Sequence, residues 1–365
     1  MRTLFYIGHP VWNGSARAFV SAAQLLGTRE HPVTVACCGN SAVERHALET
    51  GVDVVRIEPA SFFGSDAWGL RRILQERFIE VGFVHTDREQ LVVSTALRLA
   101  ERGAVIRRVP AFTPVELQRS GRFATRAAAT GLLFTTEAEL KATQTDSLPI
   151  PAAVAPLGVD AAAYDALRPA NRAAFGAPAN ALLVVCVYEP NARAGLFAAM
   201  RTVALLAPRH PELHMTVLGR GSEEDALRLH AAALGISQAV SFLGDRDDAL
   251  GILRAADVGW VAATRDDAAF AFLDFMAMRI PVIAERSVVS QHYVADQIAG
   301  ILLSPSDASY TASSVAAFLA QEERRAAMGK AGRARVEREF PATAMLEGFE
   351  RATDAASNRE RWVAR

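Results

Sequence analysis

Residues 216–261 read TVLGRGSEEDALRLHAAALGISQAVSFLGDRDDALGILRAADVGWV. An apolar run, His214–Leu218, meets a glycine turn, Gly219-Arg220-Gly221, and a helical pattern follows over Glu223–Leu234. A second apolar run, Val240–Phe242, is followed by Leu250–Ala255 and then by a third, Val258–Val261. Continuous apolar strands separated by amphipathic helices are the signature of βαβ units, whose strands lie parallel and are covered on both faces.

The same alternation runs outward in both directions. Toward the N-terminus, strands are predicted at Leu4–Ile7, Val33–Cys37, Val52–Ile57, Gly82–His85, Ala104–Arg107 and Gly131–Thr135, with a further one at Leu182–Val187. Helices are predicted over Ala16–Leu26, Ser41–Glu49, Trp68–Val81, Gln90–Arg102 and Arg193–Ala207. A break falls at Pro149-Ile150-Pro151, and Pro156-Leu157-Gly158-Val159-Asp160 follows it. Toward the C-terminus come Phe270–Met278, Val282–Ala284, Ile301–Leu303, and helices over Ala308–Gln321 and Glu322–Glu339. Phe340-Pro341 ends the last of these, because proline cannot continue a helix, and a final helix is predicted over Thr343–Ala355. The fold class is therefore α/β, with two Rossmann-like, doubly wound domains of similar size. A chain of 365 residues agrees, being too long for one ordinary core.

Composition narrows the function classes. Hydrophobic residues are 51% and charged residues 22% of the chain, with a net charge of −1. No broad electrostatic grip on nucleic acid or on an anionic membrane follows from that balance. Of the 39 basic side chains only Lys141 and Lys330 are lysines, so a cation in an active site is expected to be arginine. The arginine and alanine bias fits a GC-rich, bacterial genome. Cys37, Cys38 and Cys186 make neither a disulfide framework nor a C-x-x-C zinc site. No signal-peptide core opens the chain and no apolar run is long enough for a membrane span, so a cytoplasmic protein is expected.

Ligands of open parallel sheets bind beyond the carboxyl ends of the strands, which makes the cleft between two such domains the default site. Three loops there carry candidate chemistry. Trp12-Asn13-Gly14-Ser15-Ala16-Arg17 follows the first strand and opens a helix, suiting an anion at the helix N-terminus; Asn13 or Ser15 serves equally as a plain helix cap. The Gly219-Arg220-Gly221 turn resembles a phosphate loop, but Glu224 stands where G-x-G-x-x-G needs its third glycine. A nicotinamide-dependent dehydrogenase is disfavoured accordingly. Asp266 and Asp274, eight residues apart, place two carboxylates on a loop and a helix, where they suit sugar hydroxyls or serve as solvated acids.

Taken in order, these segments resemble the GT-B-fold glycosyltransferases, in particular the retaining group-1 type that uses nucleotide-diphosphate sugars. Pro156-Leu157-Gly158-Val159-Asp160 is similar to that family's P-x-G-V-D hinge, residues 216–261 follow its strand, helix, F-L-G loop and A-A-D-V strand, and DFMAMRIPVIAE at 274–285 resembles its E-A-M-A-x-G-x-P-V-I-A block. Asn13-Gly14-Ser15-Ala16-Arg17 sits where the family has a Gly-Gly-x-x-R loop. The resemblance implies an acceptor domain over 1–155, a nucleotide-sugar donor domain over 156–340, and a final helix over 341–365 crossing back to the first domain. It also implies transfer from a nucleotide-diphosphate sugar to a carbohydrate, lipid or small-molecule acceptor, with retention and without a metal or other cofactor. No nucleic acid partner and no transmembrane segment are implied, and peripheral membrane contact is compatible with such acceptors. The base would lie near Phe242, Leu243 and Gly244, the ribose on Asp274 and the donor sugar on Asp266. Asn13, Gly14, Ser15, Arg17, Arg193, Gly219 and Arg220 complete the expected donor site.

Departures cluster at the functional positions. Aspartates replace both glutamates of the family's acidic pair, each one methylene shorter. The G-R-x-x-x-x-K-G loop reads Tyr188-Glu189-Pro190-Asn191-Ala192-Arg193-Ala194-Gly195, without its arginine or lysine. Arg193 is one residue away from the lysine position, about 100° around a helix. Val109-Pro110 occupies the place of the family's active-site histidine, and His85 is the replacement candidate. Two lost phosphate contacts would cost about 4–6 kcal/mol of barrier, roughly three to four decades in rate. Either Arg17, Arg193, Arg220, Arg265 or Arg279 has taken over that charge, or the chain is a non-catalytic, glycosyltransferase-like binding or partner protein with a degenerate donor site.

Overall fold

The computed structural model describes residues 1–109, 111, 131–143, 151–188, 193–219, 224–262, 269–304 and 308–363. The chain divides into two compact units, Met1–Leu157 with Ala342–Arg365, and Gly158–Pro341. The proline-rich hinge stretch thus spans the first division, and Pro341 marks the second.

The first unit holds a seven-stranded sheet. Its strands are β1 (Thr3–Ile7), β2 (Val33–Cys38), β3 (Asp53–Ile57), β4 (Val81–Val84), β5 (Ala104–Arg108), β6 (Gly131–Phe134) and β7 (Ala152–Val154). The order is β3-β2-β1-β4-β5-β6-β7 with every pair parallel. Helices α1 (Gly14–Gly27), α2 (Ala42–Glu49), α3 (Phe63–Glu76), α4 (Asp87–Leu99) and α5 (Glu137–Ala142) make the crossovers. Strands β1 and β4 are buried along their whole length, as their continuous apolar runs require. Phe5 and Phe83 stack at 4.9 Å in the middle of this core.

The second unit holds six parallel strands in the order β10-β9-β8-β11-β12-β13. They are β8 (Leu182–Tyr188), β9 (Leu213–Leu218), β10 (Val240–Gly244), β11 (Val258–Ala262), β12 (Val282–Glu285) and β13 (Gly300–Leu303). Around them run α6 (Arg193–Leu206), α7 (Glu224–Ala233), α8 (Ala249–Arg254), α9 (Ala269–Ala277), α10 (Val288–Tyr293), α11 (Ala308–Leu319) and α12 (Glu322–Glu339). The last helix, α13 (Ala342–Val363), belongs to the first unit, where Phe349 packs its ring on Phe5 and Phe83. Both units are α/β with doubly wound parallel sheets, as the alternating pattern predicts. Among the described residues no helix is long and apolar enough to cross a membrane. Cys37, Cys38 and Cys186 are free and buried, and burial pushes the Cys37 and Cys186 thiols up to about 12.

Several element bounds differ from the sequence expectation. The helix expected over Trp68–Val81 begins at Phe63 and ends at Glu76. Its end is closed by Phe78 at φ +55, with the Ile79 N–H donating to the Leu74 carbonyl at 3.0 Å. That closing geometry ordinarily marks itself with glycine, and here a phenylalanine adopts it. Strand β4 stops at Val84, so His85 lies just outside it. Past the expected break at Pro149–Pro151, the three residues of β7 pair with β6 and complete the sheet. Three residues are too few to show a period. The final helix continues to Val363, well past Ala355.

Candidate functional site

In each unit the strand order reverses once, between β1 and β4 and between β8 and β11. At such a switch point the neighbouring connections leave to opposite faces, which opens a crevice beyond the carboxyl ends.

At the first switch point the sequence Asn13-Gly14-Ser15 opens α1. Asn13 is its N-cap, its side chain accepting from the Ala16 N–H at 2.9 Å, so capping accounts for this residue. Ser15 turns instead to His85, 70 residues away, with Ser15 Oγ and His85 Nε2 at 2.6 Å. Arg17 is half-buried on the next turn. Burial holds the His85 imidazole well below its ordinary range, and the charges of Arg108, His9 and Arg107 push the same way. A weaker pull from the Arg108 backbone opposes them. The ring is therefore neutral, able to donate from one nitrogen and accept at the other. Its Nδ1 is buried with no hydrogen-bond partner among the described residues.

Glu89, which carries no functional expectation in the sequence, organises this edge. Its carboxylate accepts from the Gly8 N–H at 2.8 Å and from the His85 and Thr86 N–H groups at 2.9 Å each. One buried side chain thus ties the loop after β1 to the loop after β4. The T-x-x-E spacing of Thr86 and Glu89 is a legible signal for the cap, though not for the bond to Gly8.

Beside the second switch point, the carboxyl ends of β8, β9 and β10 meet at Gly219. Gly219, at φ +136, lies so close to β8 that a Cβ there would fall 2.1 Å from the Tyr188 carbonyl oxygen. Its N–H donates to the Gly244 carbonyl at 2.9 Å. Strand β10 shifts register between Phe242 and Gly244, with Leu243 at the irregularity. Arg228 sits over the Phe242 ring at 5.5 Å and donates to the Phe242 carbonyl at 3.3 Å. Gly219, Leu243 and Gly244 are therefore brought together, whereas Arg220, Asp266 and Arg265 lie outside the described residues.

Arg193 opens α6, and its guanidinium rests over the Phe197 ring at 5.1 Å, one turn along the helix. Arg279 is engaged as well, donating to Asp165 at 2.8 Å. Asp165 also accepts from Arg333 of α12 at 3.0 Å, and these two arginines hold its carboxyl below the usual range. Arg279, one of the five arginines offered for the phosphate charge, is thus held by Asp165 in this structure.

Asp274 sits in the middle of α9, a helix whose nine residues AFAFLDFMA are all buried. Asp274 is 3% exposed, and its carboxylate accepts from the Tyr164 hydroxyl at 2.5 Å. Tyr164 belongs to a 3₁₀ turn, Ala161–Ala166, directly after the hinge stretch. No sequence signal announced this partner, because 110 residues separate the two.

Residues 168–335 match the family of glycosyl transferases group 1. The chain is 27% identical over 179 residues to the lipopolysaccharide core biosynthesis glycosyltransferase LpsE of Rhizobium meliloti (strain 1021), covering 49% of this chain and 52% of that protein. It is 28% identical over 169 residues to the D-inositol 3-phosphate glycosyltransferase of Corynebacterium jeikeium (strain K411), covering 44% and 40%. These matches span about half, or less, of the curated relatives' length. A glycosyltransferase structure from Rickettsia africae ESF-5 superimposes with TM-score 0.80 at 14% identity, over 98% of this chain and 99% of the other. Anabaena HepE in complex with UDP-glucose gives 0.76 at 16%, over 99% and 100%. At those identities the likeness speaks for the fold, which is that of the GT-B glycosyltransferases.

Proposed function

We propose, from the membership of residues 168–335 in the group-1 glycosyltransferases, that the protein moves a sugar from a nucleotide-diphosphate donor to an acceptor hydroxyl, with retention and without a metal. The bond from the anomeric carbon to the diphosphate oxygen breaks, and a bond from that carbon to the acceptor oxygen forms on the same face. The acceptor's proton leaves with the diphosphate. Stabilising the departing anion is then the main catalytic demand, and each well-aimed donor contributes about 2–4 kcal/mol.

The donor is assigned to the second unit. Asp274 carries this reading, as a buried carboxylate on the helix that follows the switch-point strand β11. A carboxylate there accepts from both hydroxyls of a ribose. The bend at Leu243-Gly244 suits the base, and the N-terminus of α6, with its helix dipole, suits the diphosphate. A protein of the same fold holds UDP-glucose, which supports a nucleotide sugar as ligand class. The acceptor is assigned to the first unit, where the neutral His85 and Ser15 offer hydrogen bonds to sugar hydroxyls. Exposed Phe62 beyond β3 adds an apolar face.

Titration calorimetry against UDP-, GDP- and ADP-sugars tests this. Saturable binding to one of them is expected, with loss of at least tenfold in affinity on Asp274→Ala. Folded protein that binds none of the panel sinks the reading. A second reading, a non-catalytic member, is favoured by the seating of Arg193 on Phe197. Donor hydrolysis or transfer that disappears on Asp274→Ala counts against it.

A further inference from the structure

The turn Ala161–Ala166 is fastened to α9 at two places by consecutive residues. Tyr164 donates to Asp274 Oδ1 at 2.5 Å in the middle of the helix, and Asp165 binds Arg279 just past its end. Arg333, 6% exposed, anchors Asp165 from the other side and caps the Ala277 carbonyl at 2.7 Å. Tyr164 is itself only 7% exposed, so its hydroxyl is held in place rather than free in solvent. A carboxylate carried by an otherwise apolar buried helix pays a large desolvation cost unless its oxygens are met by donors. A phenol oxygen 2.5 Å from a carboxylate oxygen is a short, strong contact of the charge-assisted kind.

The chain places aspartate where the family it resembles has glutamate, so the carboxyl is drawn one methylene back toward the helix axis. A shorter side chain has fewer rotamers and a smaller reach, and its ligand geometry depends more on what holds it. We propose that Tyr164 is a positioning residue for the donor site: its hydroxyl occupies Oδ1 and orients the Asp274 carboxylate so that the remaining acceptor directions meet the ribose hydroxyls. This assignment rests on the donor reading given above. It adds a residue outside the donor-site motifs, delivered by the turn that follows the hinge stretch. Tyr164 touches no substrate in this scheme and acts on the donor through Asp274.

The test compares the full chain with Tyr164→Phe, which removes one oxygen and keeps the ring. Each is titrated with the nucleotide-diphosphate sugar that the wild-type protein binds and with the 2′,3′-dideoxy form of the same nucleotide diphosphate. Tyr164→Phe is expected to weaken the ribose-containing ligand about tenfold, raising KM with kcat within about twofold. The same substitution is expected to leave the dideoxy ligand's affinity unchanged, because the hydroxyls that Asp274 serves are gone. Tyr164→Phe combined with Asp274→Glu is expected to recover part of the loss, the longer acid reaching without the phenol. A Tyr164→Phe protein that weakens both ligands equally, or neither, overturns the proposal and leaves the donor reading standing. Wild-type protein that binds no nucleotide sugar overturns the donor reading and this proposal with it.

Discussion

At His85 and Ser15 a hydrogen bond joins the two sides of the first switch point, beside the one from Gly8 to Glu89. Removing the serine hydroxyl by Ser15→Ala leaves a buried imidazole nitrogen unmet, which costs about 1–3 kcal/mol. Urea denaturation measures it directly. The same histidine makes stability depend on pH. Its folded pKa is lowered, mainly by burial, while in the unfolded chain it titrates near 6.5. Above that value both states are neutral and nothing is lost. As pH falls below about 6.5 the unfolded chain takes up a proton that the folded chain refuses. Stability therefore declines with acidification, approaching about 1.4 kcal/mol for each further fall of one in pH. His214, also lowered by burial and paired with Ser241 at 2.9 Å, contributes with the same sign. Urea midpoints at pH 7.5 and 5.5 are expected to differ, with His85→Gln reducing the difference and His214 supplying the remainder. An unchanged difference in His85→Gln would show that the imidazole is not held neutral.

Among the elements, two glycines decide how close the backbones come. Gly219 combines a φ of +136 with a Cβ position 2.1 Å from the Tyr188 carbonyl oxygen. Gly219→Ala therefore meets both backbone strain and a collision with main chain, and a loss of about 2–3 kcal/mol is expected. Because the same glycine holds the Gly244 loop, donor affinity is expected to fall with it, by titration of the refolded protein. Gly329 lets α12 settle against the end of α9, where a Cβ would fall 1.9 Å from the Arg279 carbonyl oxygen. Arg279 itself stands at φ +62, where the resembled family has glycine, with its side chain bonded to Asp165. A left-handed non-glycine residue costs about 1 kcal/mol, a strain that glycine would not carry.

Over the whole molecule, the chain leaves the first unit after Leu157 and returns to it at Ala342. The return is closely built. Gly348 allows α13 to cross the end of β7, since a Cβ there would lie 2.4 Å from the Ala155 Cα. One residue on, Phe349 is 1% exposed among Phe5 and Phe83. Phe349→Ala is expected to destabilise the first unit by about 3–5 kcal/mol through the cavity it leaves. Hydrogen exchange of β1 and β4 reads this out, and protection there unchanged by the substitution would contradict it. The first unit is thus completed by residues from the far end of the chain, and its stability cannot be judged from residues 1–157 alone.

The alternation of apolar runs with amphipathic helices was enough to specify two doubly wound sheets, because burial on both faces leaves its mark on every few consecutive residues. His214–Leu218 and Val258–Val261 read as strands for that local reason, and lie in β9 and β11. The Asn13 cap was legible for the same reason, bonding within three residues of itself. Strand β7 escaped because three residues carry no period, and the end of α3 because Phe78 took a glycine's conformation. The site followed other rules. Ser15 with His85, Glu89 with Gly8, and Tyr164 with Asp274 are pairs 70, 81 and 110 residues apart. Arg279 was one arginine among many until folding set it against Asp165. Periodicity records which face of an element is dry, whereas the partner of a polar side chain depends on which loops the completed sheet brings to the same edge.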